Sequence, residues 1–245
     1  SAPVSLRDPT DPLHKITQQY PVQSPTWVVV MQDYGEKDAP EIPLPATFHS
    51  DDELEPLFAG AWANYGDDET PAGEMCLNYG RLPDSRFMIN WPHKGNDYGV
   101  GLHRLIASED DRIQYGQEAQ THSQAFARYI QLKLGQQYGL AKDLFPTTVH
   151  SPGGGFALMP YYRESRRLVG MTTISERDIL PRSAEARVAA LPTNFEGQMQ
   201  AIALGNYAND HHYPGFEMPL APKSIQWGGR WTGTAFTIPY EALIP

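Results

Sequence analysis

Residues 108–139 read SEDDRIQYGQEAQTHSQAFARYIQLKLGQQYG and carry the features of one long helix. Ser108 suits the N-cap because its hydroxyl can accept a hydrogen bond from a first-turn amide, and the three acidic residues after it suit the positive end of the helix dipole. Either Gly135 or Gly139 can end the helix. We therefore predict a helix near 109–138. Its apolar side chains recur on one stripe, at Ile113, Ala119, Phe126, Ile130 and Leu134.

Short runs rich in β-branched and aromatic residues lie on both sides of this helix and predict strands. Residues 27–31 (WVVVM) predict a buried strand, and residues 86–91 (RFMINW) predict a second one. Residues 98–105 predict a third strand, which follows turn-forming residues at 92–97. Shorter apolar runs follow at 156–160, 168–174, 201–204 and 234–238. Several strands with one long helix predict an α+β fold around a mixed or largely antiparallel sheet.

Chain length and proline content indicate how the chain is organised. With 245 residues it can form one large domain or two small ones. Residues 1–25 are rich in proline and polar groups and predict an extended lead-in. Residues 35–56 are acidic and proline-rich and predict an excursion over the surface. We expect residues 26–245 to form a single domain.

Charge balance and cysteine count exclude several classes of protein. The chain has 19 Lys and Arg against 29 Asp and Glu, a formal net charge of -10. Because it has no Lys- and Arg-rich run of the kind that tracks phosphates, nucleic acid is not an expected partner. No apolar run is long enough to span a bilayer. Cys76 is the single cysteine, so an intrachain disulfide is impossible. This fits the cytoplasm and does not exclude the periplasm.

The first residues, SAPVS, lack the basic and apolar regions of a signal peptide. They also lack an initiator methionine. We expect that the chain was trimmed or cleaved from a longer polypeptide.

The densest group of cations is the block 163–167 (RESRR), which contains Arg163, Arg166 and Arg167. Guanidinium groups are hard to bury without acidic partners, and beside an active site they can hold a carboxylate or phosphate through forked hydrogen bonds. A solvated turn with structural ion pairs, to Glu164 or to acids elsewhere, explains the same spacing.

A second candidate is the segment Asp210-His211-His212. Histidine can move protons near neutral pH, so either imidazole is a candidate acid or base. Histidines hydrogen-bonded within a loop are the alternative. The chain has no His-Glu-x-x-His motif and no cysteine pair, so we expect no metal site.

The glycine run 153–155 could cradle a phosphate only if its N–H groups converged ahead of a helix. An apolar run at 156–160 follows instead and predicts a strand, so we interpret the glycines as a flexible turn. Neither G-x-G-x-x-G nor G-x-x-x-x-G-K-[ST] occurs. Four side chains around the predicted hairpin could line a pocket against a flat ring, or could form a hairpin with its own hydrogen bonds: Asn90, Trp91, Asn96 and Tyr98.

Four segments, in this order, resemble the middle region of the bacterial FAD-dependent oxidoreductase family. They are 87–98 (FMINWPHKGNDY), 160–170 (PYYRESRRLVG), 203–212 (ALGNYANDHH) and 236–245 (FTIPYEALIP). Two shorter segments, 145–147 and 175–180, fit as well. The resemblance covers about residues 20–245, and its most specific parts are the RESRR block and the late Asp/His segment.

The resemblance implies that a Rossmann-type FAD domain is assembled from sequence before and after this region, and that this chain is the substrate-side domain. It implies FAD as cofactor, a small-molecule substrate, and a flavin-binding chain or flanking domain as partner. The implied catalytic residues are His211 or His212 for proton transfer, with Arg166. The implied substrate contacts are Arg163, Arg167, Tyr162, Asn90 and Trp91.

Two other functions stay open at this point. Because the glycine fingerprint is missing, the chain can also be a non-catalytic small-molecule-binding or interaction module of a split assembly. Aromatic and carboxylate side chains are numerous enough for a carbohydrate-active lyase or hydrolase, although no pair of carboxylates stands out in the sequence.

Overall fold

The computed structural model describes residues 22–62, 72–91, 94–163, 170–171, 201–205 and 236–244. The chain divides into two compact units. One is Gln23–Arg163, and the other combines Ser1–Val22 with Glu164–Pro245. The predicted lead-in over 1–25 and single domain over 26–245 stay predictions.

Short strands and one long helix make up the described regular structure. In chain order the elements are β1 (Val29–Asp33), α1 (Glu55–Phe58), α2 (Ala72–Tyr79), β2 (Arg81–Leu82), β3 (Arg86–Ile89), α3 (Glu109–Leu134), β4 (Tyr138–Leu140), β5 (Ala201–Gly205) and β6 (Phe236–Pro239). Three single 3-10 turns lie at Asp51–Leu54, Leu102–Ile106 and Tyr240–Ala242.

Helix α3 confirms the prediction of one long helix, with a sharper end than expected. The Ser108 hydroxyl accepts a hydrogen bond from the Asp111 amide at 3.1 Å, so Ser108 is the N-cap. The helix ends at Leu134 because Gly135 takes a φ of +149°, which residues other than glycine rarely adopt. The chain then turns directly into β4, so the predicted end at 138 was too late. Much of the helix surface is buried against the sheet and the preceding segments.

The sheet of unit Gln23–Arg163 has the strand order β2-β3-β1-β4, and each neighbouring pair is antiparallel. Strand β1 is central, with Val29 opposite Ile89 and Met31 opposite both Phe87 and Leu140. The first three residues of β1 are buried, which explains its continuous apolar sequence. Helix α3 packs against β1 and β4. The predicted α+β fold with a largely antiparallel sheet is confirmed.

Two predicted strands were wrong. Residues 98–105 contain a 3-10 turn, because Gly101 has a left-handed backbone (φ 69°) that breaks extension and Leu102 is buried on the turn that follows. Residues 156–160 contribute only an isolated bridge, between Phe156 and Val29. Apolar composition had suggested pairing along the whole run, whereas Leu158 and Met159 are exposed.

The segment 35–56 was predicted as a surface excursion, and this is only partly right. Ile42 and Leu54 are buried in the core. The Ile42 amide donates to the side-chain oxygen of Gln131 on α3 at 2.9 Å. The segment therefore packs along the helix.

In the second unit, β5 and β6 form an antiparallel ribbon with Ala201 opposite Pro239 and Gly205 opposite Phe236. The predicted apolar runs at 201–204 and 234–238 coincide with these strands where the structure describes them. The Met171 amide donates to the Ile244 carbonyl at 2.8 Å. Among the helices of the described residues, none combines the length and apolar character that crossing a membrane requires.

Candidate functional site

The most enclosed charge pair of the described structure joins Arg163 and Asp97. The two side chains are each 8% exposed, and Nη2 of Arg163 lies 3.0 Å from Oδ1 of Asp97. The same nitrogen lies 2.9 Å from the Thr26 hydroxyl and 3.2 Å from the Asn90 side-chain oxygen. Nη1 donates to the Ser24 carbonyl at 2.6 Å. The guanidinium therefore contacts three segments of the chain at once.

Backbone pairing brings these three segments together. Thr26 and Tyr161 exchange two backbone hydrogen bonds, and Thr26 also forms a bridge with Asp97. The Thr26 hydroxyl donates to the Asp97 carboxylate. Arg163 follows Tyr161 by two residues and also lies over its ring, 5.2 Å from the centroid. The position of the ion pair therefore follows from the backbone pairing of Thr26 with Asp97 and with Tyr161.

Asn90 and Trp91, predicted as substrate contacts, are adjacent in the chain but differ in burial and in hydrogen-bond partners. Asn90 is half-buried and accepts the bond from Arg163. The Trp91 side chain is buried, donates its indole N–H to the Ala61 carbonyl and packs edge-on against Tyr79. Tyr162 is 42% exposed, and burial of part of its ring raises the pKa of its hydroxyl against the opposing effect of Arg112.

Asn96 holds the turn around Trp91 from inside. It is fully buried, accepts from the Trp91 amide at 2.8 Å, and donates to the carbonyls of Trp27 and Ile89. These three bonds occupy the amide on both its oxygen and its nitrogen. Asn96, which the sequence suggested as a pocket residue, instead belongs to the hydrogen bonding of the turn itself.

Asp97, Thr26 and Ser24 were not singled out from the sequence. The sequence predicts a turn at residues 92–97, which includes Asp97. Its partner Arg163 lies 66 residues away in the chain. The sequence does contain one usable signal: an arginine directly after Tyr161-Tyr162 needs an acid if it is buried. It does not say which acid.

A second charged cluster joins the 3-10 turn at Leu102–Ile106 to α3. Arg104 and Tyr98 both donate to the Glu118 carboxylate. The hydrogen bond from Arg104 holds the pKa of Glu118 at about 2, well below its usual range. The same carboxylate and partial burial raise the pKa of Tyr98 to about 12, with burial as the larger cause.

The glycine run 153–155 does not fit the pyrophosphate of a dinucleotide. The Gly154 amide donates to the Phe145 carbonyl at 2.9 Å, and the Gly153 amide donates to the Ser151 hydroxyl at 3.3 Å. A Cβ added at Gly155 would lie 2.4 Å from the Val30 carbonyl oxygen. The run packs onto the protein's own backbone, so the amides of Gly153 and Gly154 are not presented to a phosphate.

Four of the predicted site residues, Arg166, Arg167, His211 and His212, lie outside the described residues. Their predicted roles stay predictions. Within the parts of the chain that are described, no three His, Cys, Asp or Glu side chains come together in a group that could hold a metal ion.

Comparison with known proteins gives one match. The family model described as FAD dependent oxidoreductase matches residues 10–245. The chain belongs to the FAD dependent oxidoreductase family. Membership in this family supports oxidoreductase activity with FAD as cofactor. No curated protein and no solved structure matches the chain.

Proposed function

We propose that this member of the FAD dependent oxidoreductase family is the substrate-side domain of an enzyme that oxidises a small organic substrate. The family match over residues 10–245 carries the proposal. The same residues contain no G-x-G-x-x-G fingerprint, and the one glycine run is packed against backbone. We therefore propose that another segment or chain holds the pyrophosphate of FAD.

Within this domain we assign binding of an anionic substrate group to Arg166 and Arg167, and proton transfer to His211 or His212. Guanidinium forks bind carboxylates and phosphates in two-point geometry, and imidazole exchanges protons near neutral pH. Tyr162, which is 42% exposed, is proposed to contact the substrate as well. The resemblance to bacterial members of the family supports these assignments.

Three predicted substrate contacts are proposed instead to support the wall of the binding site: Arg163, Asn90 and Trp91. The Arg163 guanidinium is engaged by Asp97, Thr26 and Asn90, and the Trp91 indole is engaged by a backbone carbonyl. Side chains with these contacts shape the wall behind a ligand.

Spectroscopy of the native polypeptide tests the function. We expect the two absorption bands of an oxidised flavin in the purified protein, and bleaching of the longer-wavelength band when substrate is added without oxygen. Arg166→Met should slow this bleaching while the protein stays folded. The matched control is Arg86→Met, which removes an arginine that pairs with the exposed Asp84 and should leave bleaching unchanged. Equal bleaching rates in Arg166→Met and the wild type would contradict the assignment.

One observation favours a second candidate, a non-catalytic binding module of a split assembly: the missing fingerprint. The intact mass of the native polypeptide separates the two. A native mass well above 27.4 kDa, together with flavin colour, supports the enzyme. A colourless protein of that mass that folds and binds a small molecule supports the module.

A further inference from the structure

A histidine on α3 holds the segment 94–98, and the proposed function gives it no part. Nε2 of His122 lies 2.9 Å from the Gly95 carbonyl oxygen. The imidazole is partly buried and contacts two aromatic rings, with centroid distances of 5.2 Å to Phe58 and 5.5 Å to Tyr98. His122 therefore joins the long helix to the segment 94–98 through one hydrogen bond and one ring contact.

The bond to Gly95 fixes the tautomer of the neutral imidazole. A carbonyl oxygen can only accept, so Nε2 carries the hydrogen and donates it. Nδ1 then holds the lone pair and is the atom that takes up a proton as the pH falls. Protonation would place a positive charge among the rings of Phe58 and Tyr98. Burial accordingly lowers the pKa of His122 from its ordinary value of 6.5, against the opposing effects of the Gly95 bond and of Asp97.

The charges around His122 do not offer a ready partner for an imidazolium. The carboxylate of Asp97 acts on His122, and it is itself paired with Arg163 at 3.0 Å. Because that carboxylate is already paired, burial decides the direction of the shift in the pKa of His122. Other titratable side chains on the elements around the imidazole have different partners: Lys94 the Ala59 carbonyl, Tyr98 the Glu118 carboxylate, and Glu55 the Lys133 ammonium.

We infer that His122 is a pH-dependent switch for the segment 94–98: its neutral imidazole holds Gly95, and protonation of Nδ1 releases it. An imidazolium regains full hydration only when the side chain leaves its two ring contacts, and leaving breaks the bond to Gly95. Asn96 and Asp97 belong to this segment, so their contacts in the candidate site loosen with it. The inference goes beyond the proposed function and does not depend on it.

The lowered pKa sets the direction of the pH effect. When the segment opens, His122 becomes exposed and titrates near its ordinary value of 6.5, whereas in the closed segment it titrates lower. Opening therefore takes up a proton in the range between these two values. The stability of the closed segment is fully present above pH 6.5 and is lost as the pH falls through the folded-state pKa.

Two backbone amides report whether the segment 94–98 is held. The Trp91 amide donates to the Asn96 side chain at 2.8 Å, and the Tyr98 amide donates to the Pro25 carbonyl at 3.0 Å. Each of these bonds has one partner inside the segment. Both amides should therefore exchange with water when the segment opens.

Hydrogen exchange of the full chain at pH 5 and pH 7.5 tests the switch. His122→Gln keeps an N–H donor for the Gly95 carbonyl but has no titratable ring nitrogen. Comparing this variant with the wild type at the same pH cancels the intrinsic effect of pH on exchange. The ratio of the wild-type rate to the variant rate, at both reporter amides, should be at least about fivefold larger at pH 5 than at pH 7.5. An unchanged ratio would overturn the switch.

His49→Gln is the matched control, because the exposed His49 lies outside this contact and its loss should leave the pH dependence as in the wild type. If His49→Gln changes the ratio as much as His122→Gln does, the assignment to His122 is overturned. NMR titration of the wild-type imidazole gives a test that needs no variant. Its nitrogen chemical shifts should show the Nε2–H tautomer at pH 7.5 and a pKa below 6.5. An Nδ1–H tautomer, or a pKa of 6.5 or above, would also overturn the switch.

Discussion

Arg104 and Glu118 face each other in a forked ion pair: Nη1 of Arg104 lies 2.8 Å from Oε1 of Glu118, and Nη2 bonds the second oxygen. The Tyr98 hydroxyl donates to that second oxygen at 2.8 Å. Because Glu118 is on α3 and Arg104 is on the 3-10 turn before it, the pair fastens this turn to the helix.

Acid should weaken this fastening in a defined pH range. The folded-state pKa of Glu118 is about 2, below the ordinary value of 4.5, so its stabilising effect is present above about pH 4.5 and is lost as pH falls towards 2. Glu118→Gln should lower the free energy of unfolding at pH 7 by about 1 kcal/mol, a modest effect because solvent screens a partly exposed pair. Urea unfolding at pH 7 and pH 3 measures it.

The variant and the wild type should then be closer in stability at pH 3 than at pH 7. Glu36→Gln is the control, since Glu36 is exposed in a turn outside the helices and should change neither value. A constant difference between Glu118→Gln and wild type at both pH values would argue against the ion pair as the cause.

Arg128 should contribute more to stability than any exposed cation on the same helix. Its side chain is 11% exposed, and it makes two bonds to Asp51, at 3.0 and 2.7 Å, and one to Glu41 at 2.6 Å. Arg128→Met leaves both acids without this guanidinium and removes one of the side chains that hold the segment 35–56 to the helix. We expect a loss of about 2 kcal/mol in the free energy of unfolding, measured in urea.

Lys133→Met is the matched control for this prediction. Lys133 pairs with Glu55 at 2.7 Å, but both side chains are about half exposed, at 47% and 52%. Exposed pairs contribute little because water and salt screen them. If Lys133→Met lowers the free energy of unfolding as much as Arg128→Met does, burial is not what makes an ion pair on this helix stabilising.

Local signals account for the parts of the fold that the sequence predicted. Ser108 and Gly135 mark the two ends of α3, and the apolar run at 27–31 marks the central strand. The turn at Leu102–Ile106 was missed because it depends on the left-handed backbone of Gly101. Many glycines do not adopt that conformation, so the presence of a glycine does not predict it. The sequence therefore predicted elements well where one segment's own residues determine them.

The contacts of the candidate site, by contrast, join residues that are far apart in the chain. That Arg163 needs an acid follows from physical chemistry, but the choice of Asp97 depends on how segments 66 and 137 residues away pair with it. Composition and spacing carry no information about such pairing. Family resemblance drew attention to the RESRR block, and within that block the described residues include only Arg163.

The Cys76 thiol should be unreactive in the native protein. It is 2% exposed, and burial raises its pKa to about 12, so very little thiolate exists at neutral pH. We expect disulfide-exchange labelling of the native chain at least about a hundredfold slower than labelling in urea. Ser50→Cys supplies an exposed thiol in the same molecule as the positive control. Rapid labelling of Cys76 without denaturant would mean that α2 opens readily.

Two glycines with nearly equal φ values separate the cost of tight packing from the cost of conformational strain. Gly153 and Gly35 have φ values of 73° and 72°. A Cβ at Gly153 would lie 2.7 Å from the Phe145 carbonyl oxygen, whereas nothing lies within 4 Å of a Cβ at Gly35. Both alanine variants carry a left-handed cost of about 1 kcal/mol, and Gly153→Ala should lose at least about 2 kcal/mol more because backbone must move.

The comparison also bears on the function of the glycine run. If the run served as an open phosphate loop, Gly153→Ala would cost no more than Gly35→Ala in a ligand-free chain, because space would be reserved for the ligand. A larger loss in Gly153→Ala, measured by urea unfolding without any flavin, shows that the run is filled by the protein's own backbone. The pyrophosphate of FAD then has to be held by other residues, as the proposed function requires.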